Sequence, residues 1–108
     1  MKDNSEYDVR QLKLMLDSIN SFEKKIIGLD SLIGTLEFLM SVLEVVEEDW
    51  EDNFLDEITA LERINSINII NERGEAEYEI DPTKDKKSIL TANSNLKELI
   101  TMRLNDLD

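Results

Sequence analysis

The chain of 108 residues contains no cysteine and no histidine. Without cysteine it has neither disulfides nor a thiolate nucleophile, which fits a reducing compartment. Without histidine it lacks the commonest general base, the commonest metal ligand and the side chain that titrates near neutral pH. These absences exclude the Ser-His and Cys-His nucleophile systems. We therefore expect a protein that is not an enzyme and that binds no metal or cofactor.

Breakers of regular structure are also scarce, since the chain has one proline and three glycines. Helix-forming residues dominate, and the 41% of apolar residues is enough for a real core. The sequence therefore predicts a single all-α domain over 1–108, an antiparallel bundle of about four helices.

The N-terminus is polar and has no apolar run of the kind found in a signal peptide. The most apolar window, Leu29 to Val46, contains Asp30, Glu37 and Glu44. Because a membrane-spanning helix carries few or no charges, we expect this window to be a buried helix. The sequence thus predicts a cytoplasmic protein without a membrane partner.

Apolar residues at three- and four-residue spacing predict where the helices lie. The first should run from about Ser5 to Lys25 and stop at Gly28, and the second should run from Asp30 to Val46 at the centre of the bundle. The third should begin after a break near Glu47 to Asp49, and the fourth should run from Pro82 to about Leu104. The predicted core residues are Val9, Leu12, Leu16, Ile19, Phe22 and Ile26; Leu29, Leu32, Ile33, Leu36, Leu39, Met40, Leu43 and Val46, widened by Phe38, Val42 and Val45; Trp50, Phe54, Ile58, Leu61 and Ile64; and Ile89, Leu96, Ile100, Arg103 or Leu104, and Leu107.

The segment from Asn65 to Asp81 allows two interpretations. Three isoleucines, Ile67, Ile69 and Ile70, could continue the third helix into a loop. Alternatively they form the first strand of a short β-hairpin near 66–80, turned at Asn71 to Gly74. Both interpretations remain open from the sequence.

Negative charge is concentrated in one part of the chain. Residues 44–81 contain 14 acidic and 2 basic residues, whereas the rest contains 11 acidic and 10 basic ones. Such a field repels nucleic acid and anionic membranes and attracts basic partners. The densest group, which we call the acidic patch, consists of Glu47, Glu48, Asp49, Glu51, Asp52 and Asp56. Acidic residues extend it beyond the third helix, at Glu72, Glu75, Glu77 and Glu79.

Carboxylates three or four residues apart on a helix share a face and repel one another. They persist when they are solvated, when they face a basic partner, or when they hold a metal ion. The metal alternative resembles all-helical, magnesium-dependent nucleotide pyrophosphohydrolases, with Glu44 and Glu47 as the first ligand pair. The second pair of that pattern is incomplete, since Asn65 stands three residues after Glu62.

Aromatic residues near the charge could anchor a partner. Trp50 lies inside the acidic patch and Tyr78 lies within its extension. Tryptophan is enriched in interface hot spots, but Trp50 could equally pack in the core between the second and third helices. A further alternative is a helical module that forms a homodimer through spare apolar surface on the second helix.

The run from Phe22 to Leu61 has a sequence pattern similar to that of a known class of proteins. It contains Phe22-Glu23, the turn Ile27-Gly28-Leu29, the stretch from Leu32 to Leu39, and an acidic break with Trp50 and Phe54. This pattern resembles small helical proteins encoded beside bacterial polymorphic toxins, including those of contact-dependent growth inhibition systems. The resemblance implies a cytosolic immunity protein whose partner is a cognate toxin domain. Because many such toxins are nucleases with basic grooves, it agrees with the partner that the charge favours.

Overall fold

A computed structural model of the chain describes the backbone of residues 3–73 and 82–107, and the side chains of 6–66 and 86–107. It contains four helices, α1 (Asp3–Glu23), α2 (Leu29–Ser41), α3 (Glu48–Arg73) and α4 (Pro82–Leu107). The described ranges contain no strand. The prediction of an all-α bundle of four helices is confirmed.

The four helices form a closed ring around one core. Helix α1 packs against α2 and α4, and α3 packs against the same two neighbours. The connections at 24–28 and 42–47 are short, so consecutive helices run antiparallel. The expectation that the second helix is central is wrong, because in such a ring every helix keeps one face toward solvent.

Most of the predicted core is confirmed. On α3 all five predicted residues are buried, and the rings of Trp50 and Phe54 stack with centroids 5.2 Å apart. Met15 and Ala92 are also buried, although the predicted stripes omit them. The buried apolar cluster comprises Leu12, Met15, Ile19, Leu32, Ile33, Leu36, Leu39, Met40, Trp50, Phe54, Ile58, Leu61, Ala92, Leu96 and Ile100.

Helix α1 ends at Glu23, before the predicted stop at Gly28. Lys25 adopts a left-handed conformation with φ of 64°. Its N–H donates to the carbonyl of Phe22 (2.9 Å), and the N–H of Ile26 donates to the carbonyl of Ser21 (2.9 Å). This pair of bonds is a Schellman motif, usually built on glycine. Ile26 follows the turn and is 70% exposed, so its predicted place in the core is wrong.

Helix α2 ends at Ser41, five residues before the predicted end at Val46. Phe38 on its outer face is 64% exposed, and Val45 in the following loop is 48% exposed. Neither residue belongs to the core, contrary to prediction. The helix stops because the N–H groups of Glu44 and Val45 donate to the side chain of Asp8 on α1 and not to carbonyl groups of α2.

Helix α3 continues through Ile67, Ile69 and Ile70 to Arg73. These residues are therefore helical and do not form the first strand of the alternative hairpin. The helical interpretation of this part is confirmed, and residues 74–81 lie outside the described ranges. Helices α3 and α4 have 26 residues each, against 13 in α2. At ~1.5 Å per residue they are twice as long as α2.

Three polar side chains are buried with the core, Asp8, Asn93 and Arg103. Asp8 and Arg103 make hydrogen bonds that position the acidic patch. Asn93 is fully buried, and neither its amide nitrogen nor its amide oxygen has a partner among the described residues. A buried amide that lacks partners costs about 1–3 kcal/mol.

Candidate functional site

The acidic patch begins in the α2–α3 loop and continues along the first turns of α3. The carbonyl of Glu47 accepts the first hydrogen bond of the helix, from the N–H of Glu51 (2.9 Å). Glu48, Asp49 and Glu51 occupy the first turn. Because the N-terminus of a helix carries partial positive charge, carboxylates here stabilise the start of α3. This explains why α3 begins at Glu48, within the predicted break.

The side chains of the patch point mostly into solvent. Glu48, Asp49, Asp52 and Asp56 are exposed, and Glu51 is half-buried. Within the described side chains, the member of the patch that forms an ion pair is Glu47, with Arg103 at 3.2 Å. The other carboxylates have no described cation within ion-pairing distance.

Trp50 lies in the core and not on the patch surface. Its side chain is 8% exposed, and its indole Nε1–H donates to the carbonyl of Leu99 on α4 (2.8 Å). That bond satisfies the one polar atom of the ring and ties α3 to α4. The arrangement favours the core interpretation of Trp50, which in this position presents no face to a partner.

The α2–α3 loop is fixed by a buried carboxylate on α1, which the prediction of the site did not include. Asp8 on α1 is 1% exposed and accepts two backbone hydrogen bonds. The N–H of Glu44 donates to its Oδ1 (2.9 Å), and the N–H of Val45 donates to its Oδ2 (3.0 Å). Hydrogen bonds to an ionised acceptor are the stronger kind. One signal was available, since Asp8 falls one turn before Leu12 on the buried stripe of α1.

Arg103 on α4 holds the same loop from the other side. Its guanidinium donates to the carbonyl of Val45 (3.0 Å) and to the carboxylate of Glu47 (3.2 Å). The side chain is 7% exposed, so its stem packs in the core. Arg103, and not Leu104, therefore occupies the buried position that the sequence left open between them.

Two carboxylates meet across the interface between α2 and α3. The hydrogen bond that protonated Glu37 donates to the carboxylate of Glu62 raises the pKa of Glu37 above its ordinary value of 4.5, with smaller contributions from desolvation and from the like charge of Glu62. Both side chains are exposed. No sequence signal indicated this pair, because its members lie on different helices.

Several predicted site residues are not brought together. Glu44 and Glu47 lie in a loop and not on one helix, so the first ligand pair of the magnesium alternative lacks its predicted geometry. No group of three or more carboxylates in the described part of the chain could hold a metal ion. Glu72 lies on α3 but its side chain is outside the described set, and the remaining candidates, Glu75, Glu77, Tyr78 and Glu79, lie outside the described residues altogether.

The fold and the surface together define a four-helix bundle with an exposed acidic patch. No family model, curated protein or solved structure matches the chain. Among the described helices, none is long and apolar enough to cross a membrane.

Proposed function

We propose that this chain is an immunity protein, which binds and neutralises a cognate bacterial toxin domain in the cytoplasm. The observation that carries the proposal is the exposure of Glu48, Asp49, Asp52 and Asp56 without described cationic partners. A surface of this kind complements a basic groove, and the toxin domain we expect is a basic nuclease. The same charge disfavours nucleic acid and anionic membranes as partners.

The anchored loop contributes to the proposed binding. Asp8 and Arg103 hold the loop from two different helices, so α3 begins at a defined place in the bundle. A preorganised surface loses less conformational entropy when a partner docks. The negative field would speed encounter with a basic domain, and occupation of its groove would exclude nucleic acid.

Charge reversal tests the proposal. The variant Glu48→Lys/Asp52→Lys/Asp56→Lys should bind the toxin domain at least about 100-fold more weakly, because three attractive contacts become repulsive. Binding would be measured by calorimetry with the basic domain encoded next to this chain. Protection would be measured as growth of cells that express both proteins.

A matched control separates the patch from total charge. Glu6, Glu98 and Asp106 are exposed on α1 and α4, and their change to lysine alters the net charge by the same amount. This control should retain binding to within about tenfold, since its three residues lie outside the acidic patch. Equal losses in the two triple variants would contradict the assignment of the patch, and full protection by the patch variant would reject it.

A further inference from the structure

The exposed side of α2 carries two acidic residues, Asp30 and Glu37, and no basic one. Ser31, Gly34, Phe38 and Ser41 are exposed along this face. Phe38, at 64%, is among the most exposed large apolar side chains of the described surface. Exposed aromatic surface of this kind is typical of protein interfaces.

An open groove lies beside this face, between α1 and α2. Its volume is about 290 Å³, and its apolar walls are Leu14, Ile27 and Leu39. Leu14 is itself 45% exposed. Asp17, on α1, is the charged residue of the lining. The groove is therefore wide enough for a bulky apolar side chain from another molecule.

Two hydroxyl groups, that of Ser18 in the groove and that of Ser41 on the outer face, are paired within their own helices. Ser18 donates to the carbonyl of Leu14 (3.0 Å), and Ser41 donates to the carbonyl of Phe38 (2.7 Å). Covering a polar group is costly when it loses a hydrogen bond to water. Covering these two donors therefore costs little, whereas Ser21 and Thr35 in the groove lining require hydrogen bonds from the partner.

Gly34 lies one turn before Phe38 on the exposed face. A Cβ atom built at Gly34 meets no atom within 4 Å, so the bundle itself does not require glycine there. Glycine inside a helix is unfavourable compared with other residues. Its missing side chain allows the backbone of another molecule to approach α2 closely.

The surrounding charge indicates what covers this face. Glu37 precedes Phe38 on the side of α2 that faces α3, where it meets Glu62. No described cation forms an ion pair with either carboxylate. A second copy of the chain would bring its own net charge of −13 to the contact. A basic partner, in contrast, places cations beside the exposed carboxylates of Asp30, Glu37 and Glu62.

We propose that the outer face of α2 and the α1–α2 groove dock a basic amphipathic segment of the partner protein. An apolar side chain of that segment enters the groove beside Phe38, and its lysine or arginine side chains reach Glu37 and Glu62. The inference rests on the proposed function, and it assigns the apolar anchor to α2. The acidic patch on α3 then supplies attraction, and α2 supplies the buried contact that affinity requires.

A synthetic peptide of about 18 residues, helical with leucines on one face and lysines on the other, probes this chemistry. It is titrated into the isotope-labelled protein at about 0.15 M salt, and amide shifts are followed by NMR. Shifts should centre on Gly34, Phe38 and Leu14. A second peptide with serine in place of leucine keeps the charge and should bind about tenfold more weakly or worse.

Gly34→Gln fills the docking face without adding charge. Its side chain enters open space, so the variant should melt at a higher temperature than the wild type while binding the leucine peptide at least about tenfold more weakly. The matched control is Ser94→Gln on the exposed face of α4, which should bind the peptide normally. A second pair, Phe38→Ser and Leu90→Ser, compares two exposed apolar residues on different helices.

Three results would contradict the proposal that the outer face of α2 docks a partner. The first is unchanged affinity of Gly34→Gln with shifts confined to the acidic patch, and the second is equal binding of the two peptides. The third is the observation, in the absence of peptide, of amide shifts on α2 that change with protein concentration. Such shifts would mean that a second copy of the chain occupies this face. All three leave the proposed function standing, because reversal of the acidic patch tests that function while α2 stays intact.

Discussion

The two described connections between helices are closed in different ways. The α1–α2 connection is held by its own backbone. It is stabilised by hydrogen bonds within six residues and by the left-handed conformation of Lys25. The α2–α3 connection is closed by side chains from distant parts of the chain, Asp8 on α1 and Arg103 on α4. A turn of the first kind can form in an isolated segment, whereas the second requires the assembled bundle.

This difference bears on the candidate site. The acidic patch begins in the second connection, so the place where α3 starts depends on two other helices. A mutation in the core of α1 or α4 can therefore displace the patch without touching a single carboxylate in it. The first connection lies away from the patch, and changes there should leave the position of the patch unchanged.

The largest effect should follow from Asp8→Ala. The variant leaves the N–H groups of Glu44 and Val45 without their acceptor and removes two charge-assisted hydrogen bonds. We expect the free energy of unfolding to fall by about 2–4 kcal/mol. Urea denaturation measures this loss, and hydrogen exchange should show that the two amides lose protection.

Asp17→Ala is the control, since Asp17 is an exposed carboxylate on the same helix. It should change stability by less than about 0.5 kcal/mol. Equal effects of the two variants would show that the loop is not held by Asp8, and the contrast between the two connections would disappear.

Arg103→Met should have the next largest effect. Methionine keeps much of the buried volume but cannot donate to the carbonyl of Val45 or to Glu47. We expect a loss of about 1–3 kcal/mol, less than for Asp8, because the side chain of Glu47 is 70% exposed and can be solvated. Thermal unfolding gives the measurement, with Arg63→Met on the exposed face of α3 as the control. A loss as small as that of the control would contradict a role for Arg103 in the loop.

Lys25→Gly tests the local connection and should stabilise the protein. A left-handed conformation strains a residue with a Cβ atom, and glycine relieves that strain at some cost in unfolded-state entropy. The expected net gain is about 0.5–1 kcal/mol. Denaturant titration beside Lys24→Gly supplies the comparison, since a positive φ is found at Lys25 and not at Lys24. A loss in both variants would mean that the turn is not closed as described.

Glu37→Gln should have the smallest effect, and it should depend on pH. The pKa of Glu37 is raised in the folded protein, so the native state loses stability relative to the unfolded state as pH rises above the ordinary 4.5. Glutamine does not titrate, so the stability of the variant relative to the wild type should increase as the pH rises. Melting temperatures between about pH 4 and pH 7 measure the trend. A difference that is constant with pH would show that Glu62 does not perturb Glu37.

The sequence was most informative where local rules are sufficient. The core of α3 follows from apolar residues at helical spacing, and its start at Glu48 follows from acidic residues at the positive end of a helix. Pro82 likewise marks the start of α4. These features depend on neighbours within one or two turns, so a single sequence contains what is needed to predict them.

Prediction was wrong where a distant group competed with local preference. Helix α2 was expected to reach Val46, but Asp8 captures the N–H groups of Glu44 and Val45 and ends the helix at Ser41. Phe38 was expected in the core on the strength of its hydrophobicity, yet its position on the outer face of α2 leaves it exposed. Apolar residues on three sides of a helix do not indicate which side remains open.

For the candidate site, too, the sequence determines some properties and the tertiary structure decides the others. Composition alone located the excess of negative charge, because charge is counted along the chain. Among the described side chains, the structure decides that Arg103 engages Glu47 and that Glu37 pairs with Glu62. The burial of Trp50 and the exposure of Phe38 were likewise decided by how four helices close around one core. Helical periodicity and charge are properties of the chain, whereas the partner of each side chain exists only after residues 36 to 58 positions apart have been brought together.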